Sequence, residues 1–463
     1  MKHLAILLAA FSAMPLLAPV DQSKDLEHRA KVKPAQRIEI KGLSGAEIEF
    51  KTWEKDEVYL KLNLQISSSD EDYETEYINS FEVQERATEG SLVLAFKEPS
   101  RGVNSGFWSL FKGGSYVRKR ITGEIFVPRA NPLTTDLSYG SLTMSGINGE
   151  LNVLGKNNTL TLKDCANLQR VTNNYGKTEI ENGGGSLDLS GTSSTVTVRK
   201  FAGPASVEAN YSTITMNAIT GDVRVKSQSG SHTLEDIGGN LTIRSNYSTI
   251  TVSRVKGLLD VTSRSGNLRA RNIRGLVVDA PYTNIEAEDV TGIEGKDVVI
   301  ANQSATITLE NIKGNTLITA PYCNIGLKNI DGSADVETKS GSVNAQGVSG
   351  NWKARTEYTT LRLKGLKSKE VIMSNKSGNI DAELLVVPAT VDIRNDYGSV
   401  SLDLPKGFSG EISLDAEYGK VNTDFPIQTR NRGSSGYAIG KVGSGTGKIT
   451  IETRSGDIVL TEK

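Results

Sequence analysis

The sequence predicts an all-β protein: a right-handed parallel β-solenoid (β-helix) with coils of about 18 residues and an irregular β cap at its N-terminal end. Three observations carry this. Tyr139-Gly140, Tyr175-Gly176, Tyr211-Ser212 and Tyr247-Ser248 recur at one even interval, with Asn157-Asn158, Ser193-Ser194, Ser229-Gly230 and Ser265-Gly266 midway between them. Counting the first member of each pair as position zero, positions three, five and eight are apolar in almost every repeat, while two and four are mostly polar. Glycine recurs at position ten, as in Gly185, Gly203, Gly221 and Gly239. A repeat this short cannot bury its own apolar face, so neighbours must stack on it.

The chain opens with Lys2-His3 and an apolar run from Leu4 to Val20 that lacks any acidic residue. Residues 1–20 read as a secretory signal peptide, cleaved after Ala13 or Ala18. The run is short for a spanning helix, and an uncleaved anchor is the alternative reading. No cysteine follows it as a lipoprotein acceptor. The expected location is extracytoplasmic: periplasm, cell surface or medium.

Residues 21–134 lack this clock. Arg37–Ile40, Ala46–Phe50, Val58–Leu62 and Leu92–Leu94 read as strands, so this segment is expected to begin the solenoid and cap it. Within it, Phe107, Trp108, Leu110 and Phe111 are followed by Arg118-Lys119-Arg120. Apolar rings beside basic residues can seat a partner or enter a membrane interface; they can equally plug the open end of a solenoid.

From residue 135 to 463 the repeats run. Alternation around positions three and five, as in Ile214/Met216 and Ile250/Val252, is the period of a strand with one face buried. Position eight (Cys165, Phe201, Ile219, Ile237) is apolar again, and glycine at ten marks a corner whose backbone a Cβ would forbid. A second strand follows, with inward pairs such as Leu187/Leu189 and Leu241/Ile243. Each repeat is strand, corner, strand, corner, and like residues of successive repeats adjoin, which makes the sheets parallel. Only position zero doubles its period, so a single repeat, and not the Tyr-to-Tyr pair of repeats, makes one coil. Alternating a ring with a small residue lets each Tyr lean over its neighbour. The crossover rule gives the right hand. Left-handed hexapeptide helices, with their more closely spaced apolar anchors, do not fit these columns. The Gly- and Ser-rich stretch from Arg430 to Thr446 reads as a flexible loop interrupting the last coils.

Lys and Arg number 53 against 54 Asp and Glu, so no basic footprint for nucleic acid exists. Cys165 and Cys323, the two cysteines, lie many coils apart and cannot pair. His232 falls in an apolar column and reads as a core residue. No catalytic set, metal cluster or cofactor loop can be assembled. Glu286, Glu288 and Asp289, with Glu179 and Glu181 on an earlier coil, come closest to the paired acids of a polysaccharide-cleaving β-helix, but they stand among Lys and Arg as solvated charge. Outward Thr pairs such as Thr195/Thr197 and Thr213/Thr215 suit an exposed strand, and charges interrupt them as an ice-binding array.

The phrases Tyr-Gly-Ser-Leu-Thr-Met (139–144), Ser-Gly-Asn-Ile-Asp-Ala (377–382), Tyr-Gly-Ser-Val-Ser-Leu (397–402) and Ser-Gly-Asp-Ile-Val-Leu (455–460), with the entry Thr52–Val58 and Val127-Pro128-Arg129, resemble a bacterial β-strand-repeat family of unknown function. That family carries the label "putative adhesin" and is common in the Bacteroidetes. The resemblance covers nearly the whole chain after the leader and implies an exported solenoid at the cell envelope, without catalytic residues. The Tyr/Ser alternation departs from members with Tyr-Gly in each repeat, which implies different surface ligands. The expected function is a non-enzymatic envelope protein contacting glycans, envelope proteins or other cells. A carbohydrate-active β-helix enzyme, and a structural or signalling envelope component that binds through Phe107–Phe111, are the alternatives.

Overall fold

A computed structural model describes residues 22–98, 117–293 and 298–463. The expected signal peptide and the Phe107, Trp108, Leu110 and Phe111 cluster lie outside the described residues. The chain forms two compact units, Met1–Met144 and Ser145–Lys463.

In the first unit the four expected strands are present, extended to Arg37–Ser44, Ala46–Trp53, Glu57–Ser68 and Ser91–Lys97. Arg37–Ser44 lies parallel between Ser91–Lys97 and Leu133–Ser138. Ala46–Trp53 lies parallel between Val117–Pro128 and Ser141–Ser145. Glu57–Ser68 then pairs antiparallel with both Gln22–Lys31 and Val117–Pro128, which gives this unit its irregular β character. Trp53, Tyr59 and Phe126 stack on its surface. The sequence reading missed a helix, Glu71–Ser80. Asp70 caps it by accepting from the Tyr73 N–H at 3.2 Å, and acidic residues fill its first turn, where the helix dipole favours them.

The second unit is a parallel β-solenoid of about 15 turns. Register steps by one repeat, as in Thr195↔Thr213 and Val223↔Leu241, so each coil is a single repeat and the wider Tyr-to-Tyr unit spans two. Unequal coils keep their columns: Leu268 pairs with Ile285, and Ile285 with Ile307. Every residue named above for positions three, five and eight is buried.

The corners explain why inward positions five and eight differ by an odd number. Position seven takes the left-handed conformation in coil after coil, as at Asp164, Asn182, Asp236, Asn272, Asn311 and Asn329, with φ between 52° and 56°. One such residue turns the chain so that two consecutive side chains face out before the next faces in. Asn and Asp adopt this conformation at least cost among residues with a Cβ. Here they also bond from coil to coil: the Asn182 amide donates to Asp164 at 3.1 Å, and that of Asn329 to Asn311 at 3.0 Å. The glycine column at position ten has two causes. Gly203 (φ 132°) needs its left-handed backbone, whereas at Gly221 the neighbouring coil is simply too close: a Cβ would stand 2.6 Å from the Gly203 carbonyl carbon.

The Arg430–Thr446 stretch corrects the reading as a flexible loop. Gln428–Arg432 and Ser435–Val442 form an antiparallel hairpin that pairs with Gly410–Tyr418. The hairpin gives the solenoid's last coil an antiparallel partner and ends the sheet on a short, fully exposed strand bearing Arg430 and Arg432, a poor template for further pairing. The chain then doubles back. Gly447–Ser455 inserts between Thr390–Tyr397 and Gly410–Tyr418, parallel to both. Ile458–Glu462 inserts likewise between Val400–Leu404 and Val421–Thr423. The last segment of the sequence is therefore the penultimate coil in space.

Candidate functional site

The corner at position zero presents the clearest surface feature of the second unit. Residues two before and one after it point inward: Ser245 and Ser248 are buried, while Asn246 and Tyr247 between them are exposed. A Tyr at position zero is therefore held outward by the fold. Tyr175, Tyr211, Tyr247, Tyr282, Tyr322, Tyr358, Tyr397 and Tyr418 all stand there, 48–62% exposed. Leaning over a small neighbour thus covers only part of each ring. The coils between carry Ser193, Ser229, Ser265, Ser304, Ser340, Ser377 and Ser455 at the same corner.

In sequence the alternation fails at the end, where Tyr397 is followed by Tyr418. In space it holds, because Ser455 pairs with both. The rings therefore recur at every second coil along the whole column, about 9.6 Å apart at the usual strand spacing.

The residue before position zero follows the same two-coil rhythm. Tyrosine coils carry Asn210, Asn246, Pro281, Pro321 and Glu357 there; serine coils carry Gln228, Arg264, Gln303, Lys339 and Lys376. Two of these long side chains bond to the neighbouring coil. The Tyr211 hydroxyl donates to Gln228 Oε1 at 2.7 Å, and Lys376 pairs with Glu357 at 3.1 Å.

Buried polar ladders brace the inner side of the corner. The Ser227 hydroxyl donates to the Ala209 carbonyl at 2.9 Å, and the Asn302 amide to that of Thr283 at 2.8 Å. Thr356 donates to Asn375 at 2.8 Å, Asn375 to Asn395 at 3.1 Å, and Asn395 to the Gly398 carbonyl at 2.9 Å. Buried backbone groups at a corner need such partners, which fixes the corner and hence the rings. The sequence signal for these ladders was present as Ser, Thr or Asn two residues before position zero.

His232 is fully buried, as expected, with Ile214 and Ile250 beside it in its column. The structure adds what spacing could not show. Ser248 Oγ lies 3.2 Å from His232 Nε2 and also bonds Ser245 Oγ. This resembles a nucleophile and its base, but all three side chains are sealed inside, where no substrate reaches. Burial holds the imidazole below its usual range. Neutral His232 therefore supports the fold above the ordinary value of 6.5. That support is lost as pH falls through 6.5, where the unfolded chain takes up a proton that the folded chain refuses. Melting temperatures at pH 8 and pH 5 should differ more for the native protein than for His232→Leu; equal shifts would refute the assignment.

Glu286 pairs with Arg269 at 3.1 Å and Arg271 at 3.4 Å, and Glu288 with Arg271 at 3.1 Å. Glu179 lies between Lys177 and Arg199, and Glu181 faces Lys163. The acids expected to be solvated charge are thus spread over ion pairs on two separate sets of coils. Thr197, Thr215, Thr233 and Thr251 form one outward row across four coils, bounded by Glu179 and Arg269. Both cysteines are buried and unpaired, and burial pushes the Cys165 thiol up to about 11. Among the described residues no group of three or more His, Cys, Asp or Glu could hold a metal, and no helix is long and apolar enough to cross a membrane.

The profile of the Toastrack DUF4097 family matches residues 35–461. The chain belongs to the Toastrack family. The tyrosine corner is thus an edge of a Toastrack solenoid. No curated protein matches the chain. A solved crystal structure, "a putative cell adhesion protein from Clostridium sporogenes ATCC 15579", is similar at 11% identity over 95% of this chain and 100% of that one, with a TM-score of 0.14, too low to support any argument.

Proposed function

We propose that this Toastrack protein is an exported, non-enzymatic component of the cell envelope whose tyrosine edge is a contact surface for glycans or proteins of an envelope or of another cell. One observation carries the reading: eight half-exposed rings on a single edge of a rigid solenoid, kept in step even where the chain reverses its order. Tyr offers a large amphipathic contact at low conformational cost, which suits recognition. Rings set regularly on a braced corner form a preorganised surface and not scattered exposure. The apolar run from Leu4 to Val20 supports export.

Fractionation and surface proteolysis of the producing cells, followed by retention assays on intact cells and envelope preparations, test the proposal. The variant to compare is Tyr211→Ser/Tyr247→Ser/Tyr282→Ser. Serine already occupies this corner in alternate coils, so the variant should fold. The expected result is an extracytoplasmic protein whose retention falls at least ten-fold in the variant. A cytoplasmic protein, or equal retention of both forms, would refute it.

A further inference from the structure

We infer that the tyrosine edge binds an extended β-1,4-linked polysaccharide laid along the solenoid, one disaccharide to every two coils. This rests on the contact-surface reading above and names its ligand class.

Spacing is the first argument. Rings at every second coil stand about 9.6 Å apart. In an extended β-1,4-linked glycan each sugar is flipped relative to the last, so the same ring face recurs once per disaccharide, a length close to two strand spacings. Tyr stacks on such faces through its apolar body and offers its hydroxyl to a sugar oxygen, which at Tyr211 would replace the bond to Gln228. The two-coil spacing survives where sequence spacing does not. Tyr282 and Tyr322 stand further apart along the chain than Tyr211 and Tyr247, yet a single coil still separates them, through Ile285↔Ile307 and Ile307↔Ile325.

The second argument is the chemistry between the rings. Gln228, Arg264, Gln303 and Lys339 supply long hydrogen-bond donors on the coils between successive rings, and Asn210 and Asn246 add amides at the tyrosine coils. Donors flanking an aromatic platform match a sugar ring, which is apolar on its face and hydroxylated at its rim.

Other occupants fit less well. An added β-strand needs free backbone groups, but those at the corner already bond from coil to coil, as Tyr322 N–H to the Gln303 carbonyl at 2.9 Å. A nucleic acid would meet Glu357, Asp396 and Glu417 alternating with Lys376 and Arg454 along the distal column, and so no continuous basic track. An α-1,4-linked glycan coils and cannot follow a straight column.

Calorimetry with the full chain tests the inference, using cello- and chito-oligosaccharides of two to eight sugars, with malto-oligosaccharides of equal length as controls. Each added disaccharide should reach another ring, so affinity for the β-1,4 series climbs steeply with length while the controls stay flat. Tyr247→Ser/Tyr322→Ser, which leaves no four consecutive rings for an octamer to span, should weaken the octamers about five-fold, with an unchanged circular-dichroism spectrum and melting temperature. Ser265→Tyr, which adds a ring out of phase, should not restore binding to that double variant. Affinity independent of length, restoration by Ser265→Tyr, or no β-1,4 binding would overturn the ligand class. If retention on cells still depends on the tyrosines in those cases, the contact-surface function stands alone; if that dependence is also missing, both fall.

Discussion

Deleting residues 447–463 should unfold the distal end of the solenoid and leave the rest intact. Gly447–Ser455 and Ile458–Glu462 are hydrogen-bonded on both sides, to the coil before and the coil after. Ile449, Ile451, Ile458 and Leu460 are fully buried. Four such side chains contribute roughly 6–12 kcal/mol of apolar burial, an upper bound because unfolded chains are partly compact. Without them Gly410–Tyr418 and its hairpin lose their hydrogen-bonded parallel neighbour. Because each coil contacts only its neighbours, the loss should stay local. Limited proteolysis and hydrogen exchange should show 410–442 becoming cleavable and unprotected while Ile380–Leu384 stays protected. Unchanged protection of 410–442 would mean that the inserted coil does not hold the distal end. The chain order adds a consequence for synthesis: the coil at 410–423 cannot gain its parallel neighbour until residues 447–462 are made.

Trp352→Ala should cost about 3–5 kcal/mol, the range for truncating a fully buried large aromatic. Trp352 is 0% exposed and sits in a column between Ala334 and Val371, where the small alanine makes room for the indole. Parallel coils hydrogen-bonded on both sides cannot close together to fill the void, so the cavity should persist. The indole Nε1 has no hydrogen-bond partner. Trp352→Phe keeps most of the volume and removes that group, and should cost under about 2 kcal/mol. Denaturant unfolding followed by circular dichroism would decide. A Trp352→Ala protein within about 1 kcal/mol of native would sink the account.

Much of the second unit was legible because stacking converts sequence period into spatial columns. A residue that recurs once per repeat touches its own counterpart, so the apolar columns, the parallel sheets and the burial of His232 could be read directly. The helix Glu71–Ser80 was missed because it lies in a segment without repeats, and its marks were local: Asp70 as cap and acids in the first turn. The hairpin at 428–442 was hidden by its composition. Gly and Ser there read as a loop, yet Gly436 and Gly440 are needed for close approach: a Cβ at Gly440 would lie 2.7 Å from the Ile427 side chain.

The tyrosines themselves were the first thing the sequence displayed, but their direction was not. Alternation alone does not say which way position zero points; a corner that turns two successive side chains outward does.

The order of residue types was enough to set the coil, its length and its buried columns, because in a stacked repeat those depend only on the period of apolar residues. The order of the last coils comes instead from long-range pairing. The segment after residue 446 carries the same columns as its neighbours, so several slots would accept it, and periodicity cannot rank them. The choice between them is made by pairing on both faces at once, a contact between parts of the chain that no local pattern records. That placement sets Ser455 between Tyr397 and Tyr418, and so completes the even spacing of the rings.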